Sequence, residues 1–259
     1  MKLGIRTVCV SKDFEHALDA AKRAGLDGVQ IAAREANVFD ATDDGLLAFK
    51  ARVEARGLQV ASCGAGPNLV DPAVQAASQA QMRTILRAAA VMGHRLVTAE
   101  VKALPKGLPP EEGWKTCIDN VRALCDAAES EGVDLCVEPG GPCLVRTTED
   151  LERLFAAVPH KRLRVNFDGG NLWNAGSDPV DAARRLGRHV SHVHVKDWSR
   201  AAGREMALGD GEVDYRAVLR ELRKAGYDGW LVIERERSDS PEADTMTAAA
   251  RLRALVASL

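Results

Sequence analysis

The stretch Val190-Ser-His-Val-His-Val-Lys-Asp-Trp198 carries more chemistry than a plain core strand would. If it is extended, His192, His194 and Lys196 share one face and Val193 and Val195 the other, because side chains alternate along a strand. Two imidazoles and an ammonium on one face need partners, and carboxylates, a metal ion or water satisfy them at least cost. Three carboxylates end other apolar runs: Glu138 closes Leu135-Cys-Val-Glu138, Asp168 closes Val165-Asn-Phe-Asp168, and Glu234 closes Leu231-Val-Ile-Glu234.

Whether these groups meet depends on the elements that carry them. Short β-branched or aliphatic runs recur at Leu3–Val10, Gly28–Ala32, Leu58–Ala65, Arg95–Val101, Val133–Pro139, Leu163–Asp168, Val190–Asp197 and Trp230–Glu236. Segments with helical spacing separate them, such as Met82, Ile85, Leu86 and Ala89, or Trp114, Cys117, Ile118, Val121 and Cys125. Asp71-Pro72, Asp178-Pro179 and Ser240-Pro241 mark helix starts, and Thr147 with Asp150 forms a capping-box pattern. Gly25, Gly57, Gly93, Gly132 and Gly226 fall where helices should stop. Strand then helix, eight times with short joints, predicts an α/β chain closed as one (β/α)8 TIM barrel over residues 1–259. A doubly wound open sheet is the alternative, but no Gly-x-Gly-x-x-Gly follows the first strand. The segments 102–112, 199–211 and 237–242 are expected to be the least ordered.

In such a barrel the reactive groups sit at the C-terminal ends of the strands. Glu138, Asp168, His194 and Glu234 are separated by 30, 26 and 40 residues, each interval fitting one β/α repeat, so they should converge at one rim. One acidic residue at a strand end is ordinarily a solvated loop start or a helix cap; four such positions on consecutive strands are not. Crowded, buried carboxylates raise one another's pKa, and a divalent cation resolves the conflict. Ligation rich in oxygen with one nitrogen suits Mn2+ first, with Mg2+, Co2+ or Zn2+ also compatible.

Composition narrows the partners. With 35 basic against 37 acidic residues the net charge is −2, which offers nucleic acid no basic surface. No apolar run approaches the roughly 18 to 20 residues that cross a bilayer, and Lys12 and Asp13 follow the first apolar run too closely for a signal peptide. A cytoplasmic location without a membrane partner is therefore expected. The six cysteines contain no Cys-x-x-Cys pair and read as buried reduced thiols.

The segments Val137-Glu-Pro139, Asn166-Phe-Asp-Gly-Gly-Asn-Leu172, His192-Val-His-Val-Lys-Asp197, Leu208-Gly-Asp-Gly-Glu-Val-Asp-Tyr215 and Gly226-Tyr-Asp-Gly-Trp-Leu-Val-Ile-Glu234 resemble the xylose-isomerase-like barrel superfamily of sugar isomerases and epimerases. The resemblance runs in order along the chain and is strongest after Val133. It implies a divalent metal, typically manganese, magnesium or cobalt, held by Glu138, Asp168, His194 and Glu234. It also places Glu138 and Glu234 where the ketose epimerases exchange protons with substrate, beside a metal-polarised carbonyl. A small polyhydroxylated carbonyl compound is the implied substrate, and homodimers or tetramers are common in the family.

Two positions depart from the epimerase pattern. Asn171 stands where those enzymes usually carry a histidine, and Leu144 where a carboxylate is common. A metal-dependent isomerase or epimerase is the leading expectation; the alternative is a dehydratase or lyase acting on a keto-cyclitol, dehydroshikimate-like acid or keto-sugar, since the same scaffold resembles those enzymes and they share the first chemical step. Endonucleases of this barrel need more histidine ligands than stand here, and a non-catalytic sugar-binding protein would have no use for the full ligand set. Lys196, Asn171, Glu100, Arg200 and Trp173 are candidate substrate contacts. Lys196 could instead form a structural ion pair, Glu100 could pair with Lys102, and His192, one pleat deeper than His194, reads as an interior hydrogen-bonded group.

Overall fold

The computed structural model describes residues 1–259. Ten strands form, in chain order β1 (Lys2–Arg6), β2 (Gly28–Ala32), β3 (Gln59–Ala65), β4 (Leu96–Glu100), β5 (Asp134–Glu138), β6 (Leu163–Asp168), β7 (Val190–Val195), β8 (Asp197–Ser199), β9 (Arg204–Met206) and β10 (Trp230–Ile233). Eight of them close a parallel barrel in the order β1-β10-β7-β6-β5-β4-β3-β2, while β8 and β9 make a separate antiparallel hairpin at its mouth. The helices are α1 (Phe14–Arg23), α2 (Asp43–Glu54), α3 (Gln75–Met92), α4 (Pro110–Glu131), α5 (Thr148–Ala157), α6 (Gly169–Asn174), α7 (Pro179–Leu186), α8 (Tyr215–Lys224) and α9 (Pro241–Ala257). No helix is long and apolar enough to cross a membrane.

Local chemistry sets the boundaries. Asp13, Thr42, Asp178 and Asp214 each accept a hydrogen bond from a first-turn backbone N–H, which satisfies donors the helix itself cannot. The capping box expected at Thr147 is present, with Asp150 reaching back to the Thr147 N–H. Ser240 precedes α9 as expected but makes no side-chain cap. Gly93 and Gly132 end the two longest helices in the left-handed region, at φ 73° and 70°, where a Cβ would be strained. Five of the six cysteines are buried and none is paired. Trp114 packs into the core on α4, as its helical spacing implies, with the Arg153 guanidinium 4.2 Å from its ring centroid.

Three expectations need correction. The first apolar run does not stay extended to Val10: β1 stops at Arg6 and Thr7–Cys9 form a 3-10 turn. The eighth barrel strand stops at Ile233, so Glu234 lies just past it, its N–H still bonded to the Val195 carbonyl at 3.2 Å. The stretch 199–211 is not a plain loop, because it carries the second half of the β8–β9 hairpin. Asp197 explains that order: Oδ1 accepts from the Trp198 and Val213 N–H groups, and Oδ2 from Gly209 and Gly211, at 2.8–3.2 Å.

The barrel mouth is built by close approach. A Cβ on Gly170 would lie 2.4 Å from the Lys196 carbonyl oxygen, so only glycine lets α6 reach the end of β7. The Tyr215 hydroxyl accepts from the Lys196 N–H and donates to the Lys196 carbonyl, both at 2.8 Å, fixing that backbone from the other side. Gly170→Ala should therefore destabilise the protein by about 1–3 kcal/mol, the usual range for overpacking. A thermal melt that matches the wild-type curve would contradict this close packing.

Candidate metal centre

Asp168 and His194 face each other across β6 and β7 in direct register, and Glu138 ends β5, the strand paired with β6 on its other edge. With Glu234 after β10, one ligand atom from each of the four lies within 4.8 Å of every other, and all four residues are buried. The sequence-based ligand set is thus brought to one point. His194 Nδ1 is the hub, at 3.1 Å from Glu138 Oε1, 2.5 Å from Glu234 Oε2 and 3.9 Å from Asp168 Oδ2.

The donor set fits a divalent cation. Asp168 Oδ2 is buried without a hydrogen-bond donor, its nearest cations being Lys196 Nζ at 3.5 Å and His194 Nδ1 at 3.9 Å. Buried carboxylate oxygens lacking donors are costly unless a cation serves them. Three hard oxygens and one imidazole nitrogen form a set that such an ion accepts.

Electrostatics supports the fit. Burial opposes charge on His194, but Glu138 and Glu234 outweigh it and raise the imidazole to about 10. Burial lifts the Asp168 carboxyl upward against the pull of Lys196. Burial acts likewise on Glu234, yet Lys196, His194 and Arg6 together hold it well below the ordinary carboxylate range. Without a metal, an imidazolium, Lys196 and Arg6 therefore balance three carboxylates. Exchanging the imidazolium proton for a divalent ion leaves one excess positive charge at the mouth.

The remaining candidates separate into two groups. Lys196 is buried and ion-paired, its Nζ 3.0 Å from Glu234 Oε1 and 3.5 Å from Asp168 Oδ2. Asn171 bridges Glu138 and Lys196: its Nδ2 donates to Glu138 Oε1 at 3.3 Å and to the Pro139 carbonyl, while Oδ1 accepts from Lys196 Nζ at 3.4 Å. Glu100 pairs in strand register with Glu138, is half-buried at the rim, and is pushed upward first by repulsion from Glu138 and then by burial. No ion pair joins Glu100 to Lys102. Trp173 and Arg200 instead satisfy each other away from the cluster. The guanidinium lies 3.6 Å from the indole centroid and donates to the Trp173 and Ser177 carbonyls, and Trp173 Nε1 donates to Glu212 Oε2 at 2.9 Å.

Sequence reasoning did not single out several groups. Arg6, at the end of β1, donates to Glu234 and, at 3.2 Å, to Glu236. Asn166 donates to Glu138 Oε2 at 2.8 Å from inside β6. Gln30 and Ser62 project into the barrel from β2 and β3 to meet the two histidines. Their common signal is a polar residue alternating with apolar ones inside a buried strand, as in Val29-Gln-Ile31 and Val165-Asn-Phe167. His192 does behave as an interior group: burial holds its imidazole well below its ordinary pKa, hence neutral.

A closed parallel barrel with a buried carboxylate–imidazole cluster at the C-terminal ends of its strands defines a (β/α)8 protein equipped to hold a metal ion. The chain belongs to the xylose isomerase-like TIM barrel family, whose description matches residues 18–255. It is 28% identical over 144 residues to inosose dehydratase of Geobacillus thermodenitrificans (strain NG80-2), a match covering 49% of this chain and 48% of that protein. The chain thus spans about half the length of the curated relatives it matches. Among solved structures it is similar to D-psicose 3-epimerase of Clostridium cellulolyticum H10, with a TM-score of 0.83, 19% identity and 99% of each chain covered. It is also similar to the IolI protein with a bound zinc atom, with a TM-score of 0.84, 19% identity and 100% and 99% of the chains covered. At these identities the two structures bear on the fold.

Metal uptake should compete with protons, because His194 must shed its proton to bind an ion. Titrating metal-free protein with Mn2+ at about pH 8 should release about one proton per ion, and affinity should fall as pH is lowered toward about 6. Calorimetry in buffers of different ionisation enthalpy reads the proton directly. Affinity that ignores pH, or full metal content in Asp168→Asn, would remove the case for this centre.

Proposed function

We propose that the chain is a divalent-metal-dependent enzyme that abstracts a proton beside the carbonyl of a small polyhydroxylated ketone. The observation that carries the reading is the convergence of Glu138, Asp168, His194 and Glu234 in one buried cluster at the barrel mouth. An ion held there would polarise a carbonyl and its neighbouring hydroxyl and so acidify the adjoining C–H. Mn2+ suits the ligand set best, with Mg2+, Co2+ and Zn2+ also compatible.

The chain's own groups divide the remaining work. Glu138 is held by neutral or shared donors, the Asn166 and Asn171 amides and His194. It is free to take a proton as well as to bind the ion. Glu234 is held by two permanent cations, Arg6 and Lys196, which favour its ionised form and make it a poor proton carrier. Lys196 and Arg6 also supply positive charge beside the anion that forms when the C–H proton leaves.

One capable base and one dedicated ligand favour loss of a β-hydroxyl, which receives the abstracted proton from Glu138 and departs as water, over return of the proton to the opposite face. The reading is therefore a dehydratase acting on a keto-cyclitol or related ketone, and the likeness to inosose dehydratase supports it. The second reading is an isomerase or epimerase in which Glu138 and Glu234 exchange protons with a sugar, favoured by the presence of both carboxylates at one centre.

Metal-loaded protein in deuterated water, offered a panel of inososes, 3-dehydroshikimate and ketohexoses, separates these outcomes. The dehydratase releases water and leaves a new conjugated C=C seen by ultraviolet absorbance; deuterium next to the carbonyl of an epimeric ketone, with no absorbance, supports the second reading. Glu138→Gln should lower the rate by about 10²-fold or more, the scale of a lost general base. Neither exchange nor a new absorbance with any substrate, with metal bound, would sink both.

A further inference from the structure

Gln30 lies on β2 between two core residues, Val29 and Ile31, and its side chain is buried inside the barrel. Its Oε1 stands 2.8 Å from Nε2 of His194 and 2.8 Å from Nε2 of His192, and accepts from Ser62 Oγ at 3.0 Å. Its amide nitrogen donates to Thr98 Oγ1 at 3.3 Å. A carbonyl oxygen only accepts, so each ring carries its hydrogen on Nε2. The partnerless Nδ1 of His192 agrees with that tautomer, since it is then a bare acceptor.

The consequence falls on His194. With hydrogen fixed on Nε2, the Nδ1 lone pair is the one left to face Glu138 and Glu234, whose oxygens lie 3.1 and 2.5 Å away. We propose that Gln30 is a positioning residue that locks His194 as an Nδ1 ligand of the metal centre. His192 and Ser62 have a supporting part, since their donors converge on the same oxygen and fix where it points. Asn166, whose Nδ2 lies 3.2 and 3.3 Å from the two ring nitrogens, cannot replace Gln30, because an amide N–H only donates and accepts nothing from Nε2–H. Removing the Gln30 oxygen would strand a buried N–H and free the ring to rotate.

This inference rests on the metal centre of the proposed function. Its test is coordination rather than turnover. Protein labelled with 15N-histidine and loaded with Zn2+ should show His194 bound through Nδ1 and protonated at Nε2 in long-range 1H–15N correlation. Gln30→Met, of similar volume without the acceptor, should bind Zn2+ about 10- to 100-fold more weakly, the usual effect of losing a group that orients a ligand. Gln30→Glu keeps an acceptor and should recover most of that loss. Melting curves of the metal-free variants establish that they are folded; if Gln30→Met does not fold, the wild-type coordination spectrum decides alone. Binding through Nε2, or wild-type affinity in folded Gln30→Met, would overturn the role of Gln30 while leaving the metal centre intact. A wild-type protein that takes up no Zn2+ or Mn2+ would overturn the centre and this inference with it.

Discussion

The mouth of this barrel depends on one balance: three carboxylates removed from water must be matched by positive charge within the same few ångströms. An unpaired buried ion costs several kcal/mol, enough to threaten the stability of an ordinary domain. Arg6 reaches Glu234 from β1, Lys196 reaches Glu234 and Asp168 from just beyond β7, and His194 stands among all three carboxylates. None of these cations is close in sequence to the acid it serves, except as neighbours around a closed barrel. Closing β1 against β10 is what delivers Arg6 to Glu234. An open sheet with β1 and β10 at its two edges would leave that charge unmatched.

Much of the surrounding backbone can be understood as holding Lys196 in place. Its peptide is gripped by Tyr215 at the start of α8, approached by Gly170 at the start of α6, and followed by Asp197, which gathers the Gly209–Val213 turn. Glu205, on β9, accepts from the Glu236 and Arg237 N–H groups and so ties the hairpin to the segment that follows Glu234. Three sequence segments that resemble separate family motifs are therefore parts of one construction. The glycines in them mark where backbone meets backbone, and the acids mark where turns are clipped.

The four cluster residues were legible because parallel strands in a barrel end on one rim, which turns a spacing of one β/α repeat into spatial proximity. Helix ends were legible where a side chain or glycine does a local job, as at Thr147, Gly93 and Gly132. Groups acting across the barrel were not. Gln30, Ser62 and Asn166 read as isolated polar residues in apolar strands, and their meaning lies in partners 28 to 164 residues away. Arg6 was hidden for another reason: the apolar run in the sequence continues to Val10, which places the arginine mid-strand, whereas β1 ends at Arg6 on the rim. Lys196 was visible, but alternation alone does not say whether an ammonium meets substrate or protein.

The same demand for partners decides which side of the mouth remains free to recognise a substrate. Arg200 and Trp173, attractive in sequence as a clamp and a stacking wall, pack on each other and engage the Trp173 and Ser177 carbonyls and Glu212. Glu212 in turn collects Ser199 and the Arg200 and Ala201 N–H groups, so this rim is already satisfied. Glu100, half-buried beside Glu138 and raised by its repulsion, has no such arrangement. A hydroxyl that donates to Glu100 would relieve a repulsion the protein leaves standing, whereas a ligand at Arg200 would have to break contacts that already exist. Substrate recognition is therefore expected from the β4–β5 side, next to Glu138, the carboxylate proposed to take the proton.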